Sequence, residues 1–88
     1  MITRFHTNID CAKRFMRSIS GLVILPMVGD IVRVYNDSES EINMAVVERQ
    51  WTFTNGANPI LICELGIPPW FEDIPHFVET IGLMGFNQ

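Results

Sequence analysis

Apolar positions along this chain recur at two different spacings. Over NIDCAKRFMRSISG, residues 8–21, the spacing is helical. A 100° step from Ile9 gathers Cys11, Ala12, Phe15, Met16 and Ile19 on one arc and turns Lys13, Arg14 and Arg17 the other way. Asn8 stands where an N-cap side chain accepts from a first-turn N–H, and Gly21 where a left-handed residue closes a helix. The pattern predicts an amphipathic helix over about 8–20, with Asp10 placed to pair with Lys13 and Arg14. In DIPHFVETIGLMGF the same spacing aligns Ile74, Phe77, Val78, Ile81 and Met84. Asp73 is the cap candidate, and Pro75 lies in the first turn, where its missing N–H costs nothing. A short C-terminal helix over about 74–84 follows, a short edge strand being the alternative.

Between these segments the rhythm is that of strands. Ile2 to Thr7 is a brief β-prone stretch, and LVILP, 22–26, is a wholly apolar run short enough for a buried strand. VGDIVRVY, 28–35, has a Gly-Asp turn followed by β-branched residues. INMAVVERQWTFT, 42–54, alternates with period two: Ala45, Val47, Trp51 and Phe53 share one face, and Glu48, Gln50, Thr52 and Thr54 the other. Arg49 interrupts the apolar face while Ile42, Met44 and Val46 sit on the polar one. A bulge near 46–49 reconciles the two halves. Asn55-Gly56 supplies a turn in a loop ending at Pro59, and ILICEL, 60–65, returns apolar on both faces except at Glu64, as a central strand would. Residues 28–65 thus read as a three-stranded antiparallel meander.

GIPPWFEDIP, 66–75, joins that meander to the closing helix. Pro68 and Pro69 hold it extended. Trp70 and Phe71 are expected to fold back over the open end of the sheet as a lid, a docking site ringed by Glu72 and Asp73 being the alternative.

Composition adds limits. Eighty-eight residues make one domain, and 48% hydrophobic content is high for so small a body, so some apolar surface is expected to stay outside. Residues 1–35 carry five basic and two acidic side chains; residues 36–88 carry one basic and eight acidic, for a net charge of −4. That asymmetry suits a mixed-sign contact surface. The N-terminal stretch has no apolar core of the kind a signal peptide needs, and Cys11 and Cys63 lie among apolar neighbours. A reduced, cytoplasmic protein is the expectation. The longest apolar run is far too short to span a bilayer.

Chemistry is sparse. His6, Cys11, Cys63 and His76 show no metal-ligand spacing, neither histidine stands in a nucleophile motif, and there is no glycine-rich phosphate loop. His76 and Glu79, at i and i+3, suit surface solvation, and Glu72-Asp73 suit a helix start. The expectation is a protein that is not an enzyme and takes no cofactor or metal. Lys13, Arg14, Arg17 and Arg4 offer a small basic face for nucleic acid, disfavoured by a pI near 4.9.

VGDIVRVY followed by MAVVERQWTF resembles the first two strands of small SH3-like barrels, over about 40 residues and on little more than Gly29-Asp30 and alternating apolars. The resemblance implies a binding role for peptides or nucleic acids; the segment 8–20 departs from it. Together these readings give an α+β single domain, 1–88. It is a small antiparallel sheet or SH3-like barrel of three to five strands, with an N-terminal amphipathic helix and a short C-terminal helix. Functionally they point to a non-catalytic protein-interaction module that binds a protein partner or itself. Its partner-binding candidates are Trp70, Phe71, Glu72 and Asp73. In size and charge it is like phage or mobile-element accessory factors and inhibitors of host proteins. The alternative is a nucleic-acid-binding small barrel using the basic face of 8–20.

Overall fold

A computed structural model describes residues 1–16, 18–21, 24–35 and 41–83, with backbone alone at 14, 15, 18–20, 82 and 83. Five strands and one helix follow in order: β1 (Ile2–His6), β2 (Ser18–Ser20), β3 (Ile31–Tyr35), β4 (Glu41–Thr52), β5 (Ile60–Gly66) and α1 (Ile74–Leu83). The strands form one sheet, ordered β2-β1-β5-β4-β3 and curled like half a barrel. The meander is present as β3-β4-β5, antiparallel throughout. The sheet as a whole is mixed, because β1 runs parallel to β5 and antiparallel to β2. The expected all-antiparallel sheet is corrected at that one pair.

The bulge decides which face is core. Val46 pairs with Leu65 and Glu48 with Glu64, so Val47 is the extra residue. Cross-strand partners share a face, and a bulge reverses the alternation beyond it. Ile42, Met44 and Val46 therefore face the core before the bulge, and Arg49 and Trp51 face the same side after it, opposite Cys63 and Leu61. The face expected from Ala45, Val47, Trp51 and Phe53 is split: Ala45 is buried on the outer side, while Phe53 projects past the strand end, 72% exposed. Phe77 and Ile81 of α1 cover Ile42, Met44 and Val46, and the core continues through Leu61, Cys63 and Leu65 of β5.

The predicted N-terminal α-helix is instead a short 3-10 helix, Asp10–Phe15, followed by extended chain at Met16 and then β2. Asn8 does not cap it. Ile9 is the cap residue, with no side-chain cap bond, and its N–H donates to Thr7 Oγ1 at 3.2 Å. A 3-10 turn advances 120° per residue, so the i, i+3 pair Ile9 and Ala12 stays inward and both are buried. Cys11 and Met16 are half-buried and pack against the same core, while the side chains of Phe15 and Ile19 lie outside the described residues. What wins beyond Met16 is the edge of β1: Ser18, Ile19 and Ser20 pair with Arg4, Thr3 and Ile2. Two serines and a β-branched isoleucine give up little by leaving a helix, and the ladder satisfies β1 backbone groups. Gly21 does have a left-handed φ of 76°, but it follows a strand.

The apolar run 22–26 is not the expected strand where it is described: residues 24–26 are irregular, with Ile24 85% exposed; residues 22 and 23 lie outside the described residues. Its continuation is a tight turn. Met27 N–H donates to Asp30 Oδ2 at 2.8 Å, and Gly29 takes φ 98°. α1 begins as expected: Asp73 Oδ1 accepts the His76 N–H at 2.8 Å. Residue 84 of the expected span lies outside the described residues. Ile24, Met27, Val28, Phe53 and Trp70 are each more than half exposed. Apolar surface is left uncovered.

Candidate functional site

The crossover from β5 to α1 is a hook held by local contacts. Pro68 is buried, and the Phe71 N–H donates to the Pro68 carbonyl at 3.1 Å, closing a turn around Pro69 and Trp70. Phe71 packs edge-on against Phe77, with ring centroids 5.0 Å apart at 87°, and against His76 at 5.4 Å. His76 Nδ1 accepts the Glu72 N–H at 3.4 Å. The two aromatics thus take opposite roles. Phe71 is the core lid; Trp70 is not, standing 56% exposed at the apex.

Beside Trp70 lies an open cleft of about 140 Å³. Ile42, Phe77 and Ile81 line it with apolar surface, and Glu41, Asn43 and Thr80 contribute polar groups. Glu72 and Asp73 follow Trp70 and are exposed. The hook therefore presents a large indole next to an apolar socket, with carboxylates nearby. Along the other flank of α1, a second and larger cleft of about 400 Å³ is lined by Ile9, Cys11, Ile74 and Val78, with Asn8 and Asp10.

Of the four basic candidates, Lys13 and Arg4 have described side chains. Lys13 is exposed and paired with Asp10 at 2.9 Å; Arg4 is exposed on β1, in register with Ile62. The side chain of Arg14 and the whole of Arg17 lie outside the described residues. Where an α-helix was expected to carry them, the described backbone is a 3-10 helix ending at Phe15.

The sheet face away from α1 carries a row of titratable groups. His6 Nε2 donates to Asn8 Oδ1 at 3.2 Å, Asn8 Nδ2 donates to Glu64 Oε1 at 3.2 Å, and Glu48 pairs directly with Glu64. Among the described residues no group of three or more His, Cys, Asp or Glu is arranged to hold a metal ion. Both cysteines are unpaired. Burial pushes the Cys63 thiol above its ordinary pKa, and Arg49, its cross-strand neighbour, pulls it partly back. Arg49 itself donates to Met27 Sδ at 3.2 Å, and its buried Nε has no hydrogen-bond partner among the described residues. No helix among the described residues is long and apolar enough to cross a membrane.

No protein-family model, characterised protein or solved structure matches the chain. Glu41, Asn43 and Thr80 were not legible as neighbours of Trp70. They meet it only through the long-range packing of α1 on β4, which leaves no local pattern in the sequence.

Proposed function

We propose that this protein is a non-catalytic interaction module that docks a protein partner on the Trp70 hook. The observation that carries the reading is a 56% exposed tryptophan on backbone that is already fixed. A buried proline, a closed turn, the Phe71–Phe77 contact and the Asp73 cap all hold it. An aromatic anchor ordered before binding loses little entropy on association, and tryptophans in such positions dominate interface energetics. Glu41, Glu72 and Asp73 favour a partner with an apolar pocket rimmed by Lys or Arg. The SH3-like resemblance of residues 28–65 supports the same class of role.

The test is affinity capture with the wild-type chain, Trp70→Ala and Glu72→Lys side by side, followed by titration of the captured protein. A partner held by the wild type should bind Trp70→Ala at least tenfold more weakly, since a hot-spot truncation costs about 2 kcal/mol or more. Its association with Glu72→Lys should be slower and less salt-dependent. A partner bound equally by wild type and Trp70→Ala refutes the assignment of the surface. Salt-sensitive binding of mixed single-stranded DNA or RNA, unaffected by Trp70→Ala, would replace it with the nucleic-acid alternative.

A further inference from the structure

β3 ends the sheet, and its hydrogen bonds to β4 fix which of its backbone groups point away. The Val46 N–H donates to the Asp30 carbonyl at 2.9 Å. In an antiparallel ladder alternate residues exchange both bonds with the same neighbour. Val32 and Val34, opposite Met44 and Ile42, therefore face β4, and Ile31, Arg33 and Tyr35 aim their N–H and C=O groups outward. Among the described residues no backbone hydrogen bond reaches these groups. The strand carries no proline or bulge, and its one guarding charge is Arg33. Ile31 and Tyr35 are 44% and 47% exposed on the outer face.

We propose that the β3 edge accepts an extended strand of another protein, with an acidic residue opposite Arg33 and apolar residues opposite Ile31 and Tyr35. Arg33 is the only charge in the outward row, and it is loosely held: its Nε lies 3.4 Å from Asn43 Oδ1 and 4.0 Å from Glu41 Oε1, with 57% of the side chain exposed. Its guanidinium retains donors for a carboxylate arriving on an added strand. The same charge argues against a second copy of this chain. The two-fold register that pairs all three outward residues sets Arg33 directly against its own copy, and like charges facing across strands are destabilising. Strand addition supplies affinity through the main chain and specificity through alternate side chains. This edge adjoins the Trp70 cleft, since Glu41 and Asn43 line that cleft and also touch Arg33, but it does not use Trp70 itself.

The probe is a short synthetic peptide with the central run Tyr-Val-Glu-Val-Ile, compared with its Tyr-Val-Lys-Val-Ile counterpart, titrated into nitrogen-15-labelled full-length protein. The amides of Ile31, Arg33 and Tyr35 should shift and gain exchange protection. The acidic peptide should bind several-fold more tightly than the basic one, and Arg33→Glu should reverse that order. Trp70→Ala should leave the titration unchanged, which separates failure here from failure of the hook. Equal binding of the two peptides would overturn the proposal, as would shifts that avoid those three amides. Protection of the same amides in the protein alone, growing with its concentration, would also overturn it by showing a second copy on the edge.

Discussion

Gly66, the last residue of β5, lies under the residue that the β4 bulge pushes out. A Cβ added there would stand 2.9 Å from Val47 Cγ1, 3.4 Å from Cγ2 and 3.8 Å from Cβ. The first distance is shorter than real contacts, and the obstacle is a β-branched side chain whose χ1 has little freedom. Overpacking of this kind costs about 1–3 kcal/mol. Against it stands about 0.4–1 kcal/mol gained by restricting the unfolded chain when glycine becomes alanine. Gly66→Ala should therefore lose about 1 kcal/mol, lowering Tm by about 4–8 °C for a domain of this size. In a Val47→Ala background the obstacle is gone, and the same substitution should be neutral or stabilising. Urea unfolding of the four proteins, followed by circular dichroism, closes the cycle with a coupling of about 1–3 kcal/mol. Equal cost of Gly66→Ala in both backgrounds would mean that Val47 does not sit over Gly66. The bulge, and with it the assignment of Ile42, Met44 and Val46 to the core, would then be misplaced.

Other expectations follow from the same geometry. Phe77→Ala should cost about 3–5 kcal/mol in denaturant unfolding, because it empties a fully buried site and removes the support of Phe71. Asp73→Ala should cost about 1 kcal/mol through the lost cap, with Asp73→Asn nearly neutral; a cost shared equally by both would refute the cap. Under native conditions a thiol reagent should label half-buried Cys11 well before buried Cys63. The Cys63 pKa is raised above its ordinary 9.0, so the unfolded thiol ionises first as pH climbs. Its contribution to stability is complete below pH 9.0 and lost as pH rises through the folded-state value, and Cys63→Ala should remove that alkaline slope.

What the sequence made legible was local. Gly29-Asp30, Asn55-Gly56 and Asp73 act as turn and cap signals because their chemistry works within three or four residues. The bulge was readable because Arg49 broke one alternation while Ile42, Met44 and Val46 began another. The segment 8–20 misled because its apolar spacing serves a 3-10 turn as well as an α-helix over the first few residues. Only the neighbouring β1 edge, distant in sequence from β5, decides between helix and strand after Met16. Trp70 and Phe71 are adjacent and chemically alike, and no pattern separates them. The turn closed on Pro68 sends one ring to Phe77 and the other outward.

That division is most directly tested by the fluorescence of Trp70 in a Trp51→Phe background, where it is the sole tryptophan. Emission close to that of indole in water and efficient acrylamide quenching are expected for the isolated protein, both suppressed when a partner is added. Blue-shifted, quencher-protected emission from the isolated chain would place the indole in the core and remove the docking surface.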